Sequence, residues 1–252
     1  MENTEQQLNN YQSITLEEMD RVRLLNRIDR KYVLDTGELK NFLELMYDDY
    51  MVLEVNSKRQ LRYETRYYDT PDYKLYFMHL HGFGRRFKVR KRFYKDSSVR
   101  FFELKTKTNQ GKTEKQRLFM ENDQDSLSSE VRTLLQADLP FSPDQLEPGL
   151  FTGYDRITLV NKHINERVTI DLNLFFVFRG IKKSMDDLVI IEVKQGEKQL
   201  TPAVKALREL RRKPGGLSKY CLGMIMTNPD LRHNRFKPLT LKISKLTRVT
   251  TA

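Results

Sequence analysis

The chain has 252 residues, which is long enough to bury a sizeable core in one large β-rich domain. It carries 45 Lys and Arg against 34 Asp and Glu, and this net charge of +11 favours an anionic partner such as phosphate, nucleic acid or a membrane surface. Its single cysteine, Cys221, excludes an intramolecular disulfide and any cysteine-rich zinc site.

The ends of the chain differ in character from its middle. Residues 1–13 are polar, and their pattern is not that of a signal peptide. No segment approaches the roughly 18 to 20 apolar residues of a membrane span. We therefore expect a cytoplasmic protein with a polar tail at 1–13, one domain at 14–228 and a C-terminal extension at 229–252.

Hydrophobic periodicity and turn residues predict the secondary structure. From the N-terminus we expect a short amphipathic helix from Leu16, with Met19, Val22, Leu24 and Leu25 in its apolar spacing, and a strand from Arg27 to Leu34. Next come a helix at 36–47, strands at 51–56 and 60–69, and a helix at 72–81. There follow strands at 85–95, 99–108 and 112–120, a polar and helical stretch at 123–149, strands at 151–161, 166–178 and 187–194, and helices at 201–213 and 217–227. About eight mainly antiparallel strands predict an α+β fold, a closed antiparallel eight-stranded tunnel β-barrel with helices packed on the outside.

Charged and apolar side chains alternate along most of these strands. In the strand 85–95, Lys88, Arg90 and Arg92 share one face, and Phe87 and Val89 lie on the other. For any single strand the ordinary interpretation is a solvated charged face. The predicted helices, however, carry apolar stripes that must pack on apolar strand faces, and this leaves the charged faces to line the interior.

An interior rich in cations needs an anionic occupant, because each unpaired buried charge costs several kcal/mol. Arg guanidinium groups grip phosphate oxygens in bidentate fashion and Lys adds mobile point charges, so a narrow channel favours a phosphate chain. Glu192 is the carboxylate that we expect to hold a divalent cation, since Mg²⁺ or Mn²⁺ needs only one or two carboxylates plus waters and phosphate oxygens. The alternative is an internal ion pair between Glu192 and a neighbouring Lys or Arg.

Several segments combine these charged and apolar positions in a fixed order. They are RIDRKYVL (27–34), YYDTPDYKLY (67–76), RRFKVRKRFY (85–94), FFELKTKT (101–108), GYDRITL (153–159), RVTIDLNL (167–174), VIIEVKQG (189–196) and LSKYCLG (217–223). Together they resemble the VTC domain, the polyphosphate polymerase domain of the triphosphate tunnel metalloenzyme (CYTH-like) superfamily, in its bacterial stand-alone form. The resemblance covers roughly residues 20 to 225.

The resemblance implies a tunnel that binds ATP and polyphosphate or tripolyphosphate with Mn²⁺ or Mg²⁺, and a phosphotransferase that moves the ATP γ-phosphate onto a polyphosphate chain. Carried over position by position, it implies catalytic roles for Arg90, Arg92, Lys194 and Lys219, and metal binding by Glu192. It also implies phosphate binding by a further basic set: Lys31, Lys88, Lys105, Lys115, Arg117 and Arg156. The wider superfamily begins with an E-x-E-x-K strand, whereas this chain has Arg27, Asp29 and Lys31 at those positions. The strand therefore offers fewer carboxylates for a second metal-binding cluster.

Three other functions stay open on the sequence. The same cradle could serve a tri- or polyphosphatase, with water as the acceptor, or a non-catalytic polyphosphate sensor. Nucleic-acid binding would use Tyr63, Tyr67, Tyr68 and Tyr94 to stack bases, but Tyr67 and Tyr68 adjoin an apolar helix and we expect no nucleic-acid partner. A membrane protein that takes up the product is a possible partner.

Overall fold

The computed structural model describes residues 2–21, 28–121 and 126–247. Its α-helices are α1 (Glu2–Asn9), α2 (Leu16–Arg21), α3 (Thr36–Glu44), α4 (Lys74–His81), α5 (Ser129–Gln136), α6 (Pro202–Glu209), α7 (Lys219–Thr227) and α8 (Lys237–Thr247). Its strands are β1 (Ser13–Ile14), β2 (Ile28–Asp35), β3 (Tyr50–Leu53), β4 (Leu61–Asp69), β5 (Arg86–Tyr94), β6 (Val99–Lys107), β7 (Thr113–Met120), β8 (Glu147–Asn161), β9 (Glu166–Phe178), β10 (Ile181–Met185) and β11 (Leu188–Gln195). The α+β class is thus confirmed.

All the strands belong to one 11-stranded sheet. Its main path runs in the order β2-β11-β9-β8-β4-β5-β6-β7, and neighbours on this path are antiparallel. The two longest strands each pair with two strands along one edge: β8 with β4 and β3, and β9 with β11 and β10. The short strand β1 adds a parallel pairing with β3.

The prediction of a closed eight-stranded barrel is wrong. The main path does contain eight strands, but in the described part of the chain no ladder joins its end strands, β2 and β7. Counting strands cannot show closure, because closure depends on strand tilt and stagger. The sheet nevertheless curls around one cavity, since Lys31 of β2 and Lys115 of β7 line it together.

Helices cover much of the outer face of the sheet, as predicted. Phe42 of α3 and Leu207 of α6 share a buried cluster with Ile170 of β9. On the other half of the sheet, Leu135 of α5 packs in a cluster with Val89 of β5. Because neighbours alternate faces along each strand, this packing turns the charged positions of β5, β9 and β11 toward the interior.

Helix α7 departs from the prediction that the helices lie outside. The ring of Tyr220 lies 5.0 Å from that of Tyr67, which lines the cavity. Gly223 allows close approach to the sheet, because a Cβ there would lie 2.4 Å from the Phe176 ring and 2.6 Å from Leu150. The apolar stripe of α7 predicts burial but cannot show which face of the sheet buries it, and here the helix closes one end of the concave face.

Some predictions concern residues beyond this description. Val22, Leu24 and Leu25 of the predicted first helix, and Arg27 of the predicted first strand, lie outside the described residues. The division at residues 13/14 and 228/229 stays a prediction. No helix among 2–21, 28–121 and 126–247 has the length and apolar character needed to cross a bilayer.

Candidate functional site

The concave face of the sheet encloses a cavity of about 590 Å³. Twelve Lys and Arg side chains line it: Lys31, Arg62, Lys88, Arg90, Arg92, Lys105, Lys115, Arg117, Arg156, Arg167, Lys194 and Lys219. Three acidic side chains, Asp96, Asp171 and Glu192, also line it. Every site residue named from the sequence lies on this wall; their individual roles stay predictions.

Two lining cations, Arg62 and Arg167, are absent from the predicted site. Arg167 shares a strand face with Thr169 and Asp171, so alternation along β9 was a signal that could have found it. Arg62 is the second residue of β4, and its guanidinium lies 3.0 Å from the Asp155 carboxylate. No spacing in the sequence signals that position.

The antiparallel register of β5, β6 and β7 builds a ladder of basic residues. Lys88 lies opposite Lys105, which lies opposite Lys115, and these form one row of three lysines. In the next row Arg90 lies opposite Glu103, which lies opposite Arg117. Like charges on directly opposite residues destabilise a sheet, so the lysine row favours an anion in the cavity.

Glu103 is the counter-charge in the middle of this ladder, and its side chain is fully buried. The Arg90 Nε donates to its Oε2 at 2.7 Å, the Lys115 ammonium contacts Oε1, and a guanidinium nitrogen of Arg92 lies 4.0 Å away. Burial raises the pKa of this carboxyl, but Arg90, Arg92 and Lys115 together bring the pKa below its ordinary value. Glu103 is therefore an anion that holds three cations in place.

Lys88 and Lys105 make no hydrogen bond or ion pair with any described residue. Burial lowers the pKa of Lys88 from its ordinary value to about 8. The charge of Arg90, followed by burial, lowers the pKa of Lys105 well below its ordinary value. Both ammonium groups would gain from an anion bound between them.

On the opposite wall, one carboxylate joins β8, β9 and α7. Arg156 donates to Asp171 in bidentate fashion, from Nε at 2.6 Å and from a terminal nitrogen at 2.8 Å, and the Lys219 ammonium contacts the same carboxylate. Burial raises the pKa of Asp171, but Arg156 and Lys219 hold it below its usual range. The side chain of Arg156 also lies over the Tyr63 ring, 5.0 Å from its centroid. Both cations are thus fixed in direction.

Glu192 lies at the centre of the third charged group. Its Oε2 is 2.7 Å from the Lys194 ammonium and its Oε1 is 3.8 Å from that of Lys31. Burial raises the pKa of Glu192, but Lys194 and Lys31 outweigh it, so the pKa lies well below the ordinary value. The ion pair named as the alternative to a metal site is therefore present.

Comparison with known families identifies the chain. Residues 26–228 match the VTC domain. The chain belongs to the VTC domain family. The match begins just before β2 and ends just after α7, so it spans the strands and the helix that form the cavity. A comparison with curated proteins finds no match.

One of the solved structures similar to this VTC domain shares its fold. One neighbour is a Hippeastrum protein described as an adenylyl cyclase with a dominant triphosphatase activity, at 14% identity over 82% of this chain and 99% of that chain, with a TM-score of 0.51. A protein from Bacillus halodurans assigned as an adenylate cyclase gives 14% identity over 73% and 87%, with a TM-score of 0.43. The S. pombe RNA triphosphatase Pct1 gives 12% over 91% and 88%, with a TM-score of 0.30. The resemblance to the VTC domain that the sequence motifs predicted is confirmed by the family match.

This fold family implies a divalent cation, and the donor set of the cavity can be tested against it. Among the residues that the structure describes, no three His, Cys, Asp or Glu side chains are grouped to hold a metal. Mg²⁺ and similar ions commonly bind through one or two carboxylates together with waters and substrate phosphates. The anionic Glu192 fits a cation held in that way, and not one held in an all-protein cage.

Proposed function

We propose that this VTC domain is a metal-dependent phosphotransferase that moves the γ-phosphate of ATP onto a polyphosphate chain bound in the basic cavity. The observation that carries the proposal is the lining of that cavity by twelve cationic and three acidic side chains. Lys88 and Lys105 make no hydrogen bond or ion pair among the described residues, so part of this charge is available to an anion. A linear phosphate chain supplies many negative oxygens in a narrow shape, which matches rows of Lys and Arg.

The reaction needs no protein nucleophile. A terminal oxygen of the polyphosphate chain attacks the γ-phosphorus, the bond from that phosphorus to the β–γ bridging oxygen breaks, and ADP leaves. Arg90, Arg92 and Arg156 grip the transferring group and its neighbours. Positioning and charge neutralisation therefore account for the rate enhancement.

The remaining charged groups divide the other tasks. Lys194 and Lys219 neutralise the departing diphosphate, and Glu192 would hold the divalent cation together with phosphate oxygens. That cation, when bound, supplies charge stabilisation on the phosphoryl oxygens. The rest of the bound chain contacts the basic set Lys31, Lys88, Lys105, Lys115 and Arg117.

Buried carboxylates orient the phosphate-binding arginines before the substrate binds. Glu103 fixes Arg90, and Asp171 fixes Arg156 through two hydrogen bonds. Guanidinium groups that are already oriented lose less entropy on binding phosphate, and they need less reorganisation during transfer.

Hydrolysis is the second candidate, with water in place of the polyphosphate acceptor. The observation in its favour is the fold shared with the Hippeastrum protein, which has a dominant triphosphatase activity. The cavity would bind the same triphosphate with the same residues in both reactions, so only the acceptor distinguishes them.

Product analysis with γ-labelled ATP tests the proposal. The protein is incubated with labelled ATP, short polyphosphate and Mn²⁺ or Mg²⁺, and label is separated into long chains and free phosphate. We expect label in long chains, with Glu192→Gln and Arg90→Ala strongly impaired. Arg66→Ala is the matched control, because Arg66 lies outside the cavity lining, over the Phe151 ring. Label found only in free phosphate would replace the transferase with the hydrolase, and absence of turnover would refute both.

A further inference from the structure

A row of aromatic rings crosses five neighbouring strands on the concave face. Its members, in the order β8, β4, β5, β6 and β7, are Tyr154, Tyr63, Tyr94, Phe101 and Phe119. Successive ring centroids are 5.5, 4.9, 6.0 and 6.0 Å apart, so the row is continuous. The proposed phosphoryl transfer assigns no role to Tyr94, Phe101 and Phe119.

Exposure increases along the row. Tyr154 and Tyr63 are buried at 1% and 8% exposure, and they support the Arg156 side chain from below. Tyr94 and Phe101 are half-buried and line the cavity. Phe119 is 63% exposed. An accessible aromatic surface therefore lies at this end of the cavity.

The surface is bordered by other apolar side chains and not by cations alone. Leu53, Val55, Leu61 and Val99 line the same cavity. Val99 lies directly opposite Tyr94, and it follows the β5–β6 turn. One part of the cavity wall is thus apolar, in contrast to the basic ladder deeper on the same strands.

The aromatic surface adjoins the start of that ladder. On β5 the inward positions after Tyr94 are Arg92, Arg90 and Lys88, and each step of two residues advances about 7 Å. On β7 the Arg117 guanidinium lies over the Phe101 ring, 4.7 Å from its centroid. A ligand with a flat ring at one end and a chain of phosphates at the other would match this arrangement, with the ring on the aromatic surface and the phosphates along the basic ladder.

We infer that Tyr94, Phe101 and Phe119 form a nucleobase-binding surface, which holds the base of the nucleotide donor at the aromatic end while its phosphates lie along Arg92 and Arg90. This inference rests on the proposed function, and it adds what the basic ladder alone cannot provide, a preference for a nucleotide over inorganic triphosphate. Base stacking on aromatic rings and on Arg is tolerant of base identity, because every base has a π-face. The site accordingly takes ATP and GTP with similar affinity.

Calorimetric titration of two ligands, Mg·ATP and Mg·tripolyphosphate, separates the base from the phosphates. In Phe101→Ala we expect ATP affinity to fall about 5- to 100-fold, the range of one lost base stack, while tripolyphosphate affinity stays within about twofold of the wild type. Two further variants test the nucleobase surface if Phe101→Ala does not fold. Phe101→Leu keeps the apolar volume but removes the ring, and Phe119→Ala changes an exposed side chain. The matched control is Phe93→Ala, since Phe93 lies on the opposite face of β5 between Lys95 and Arg100.

The outcomes separate this inference from the function on which it rests. Selective loss of ATP affinity in the ring variants, with Phe93→Ala unchanged, supports the nucleobase surface. Equal effects on ATP and tripolyphosphate, or no effect on either, would overturn it while leaving the phosphate site intact. Failure of the wild type to bind tripolyphosphate would instead refute the phosphate site, and the inference with it.

Discussion

Replacing Glu103 by Gln should destabilise the ligand-free protein and increase its stabilisation by tripolyphosphate. The carboxylate is fully buried between Arg90, whose side chain is 7% exposed, and Lys115, whose side chain is 33% exposed. Removing one partner of a buried ion pair costs about 3–5 kcal/mol. Because Lys115 can reach solvent, we expect the lower end, about 3 kcal/mol, which corresponds to a fall of about 6–12 °C in the unfolding midpoint for a chain of this size.

Thermal unfolding with and without tripolyphosphate measures this effect. Phosphate oxygens can replace the Glu103 carboxylate beside Arg90 and Lys115. Saturating tripolyphosphate should therefore reduce the difference in unfolding temperature between the variant and the wild type. Glu64→Gln is the matched control: Glu64 lies 3.9 Å from Lys95 on the outer face, where such a pair is worth about 0–1 kcal/mol. The reasoning is refuted if Glu103→Gln is as stable as the wild type, or if ligand stabilises both proteins by the same amount.

Three further predictions concern α7 and the cavity lysines. Gly223→Ala should cost about 1–3 kcal/mol in the free energy of unfolding through overpacking, whereas Gly216→Ala, where an added Cβ meets nothing within 4 Å, should be neutral; equal denaturation midpoints would contradict this. Tyr220→Phe removes the hydroxyl that donates to buried Asp69. It should lower the free energy of unfolding, measured in urea, by about 1–2 kcal/mol and weaken tripolyphosphate binding. An unchanged urea midpoint would contradict a stabilising role for this hydrogen bond. Burial lowers the pKa of Lys88 to about 8, and a bound phosphate favours its ammonium form. Tripolyphosphate binding near pH 8 should therefore take up protons, and the affinity should fall as pH rises further. Calorimetry in buffers of different ionisation enthalpy measures the proton uptake, and its absence would contradict the prediction.

Strand alternation was enough to predict most of the strand side chains that share the cavity. The period of two places Lys88, Arg90 and Arg92 on one face of β5, and the apolar side of α4, whose Leu75 shares a buried cluster with Val89, covers the other face. Both signals are local, so the sequence displays them directly.

Properties that depend on pairing between distant segments could not be obtained in this way. The role of Glu103 as a counter-ion follows only from its register opposite Arg90 and Arg117, which its own strand does not display. The inward position of α7 depends on close packing at Gly223, and the open edge between β2 and β7 depends on strand stagger. Neither leaves a periodic signal in the sequence.

Calorimetric titration of tripolyphosphate in the presence of excess single-stranded oligonucleotide tests the central claim most directly, because the basic rows lie inside the curled sheet, where a linear phosphate chain can follow them. We predict that the oligonucleotide leaves the tripolyphosphate affinity unchanged, while Arg90→Ala lowers that affinity roughly tenfold or more, as expected for loss of charge-assisted hydrogen bonds. Displacement of tripolyphosphate by the oligonucleotide, or undiminished binding in Arg90→Ala, would contradict a phosphate site inside the curled sheet.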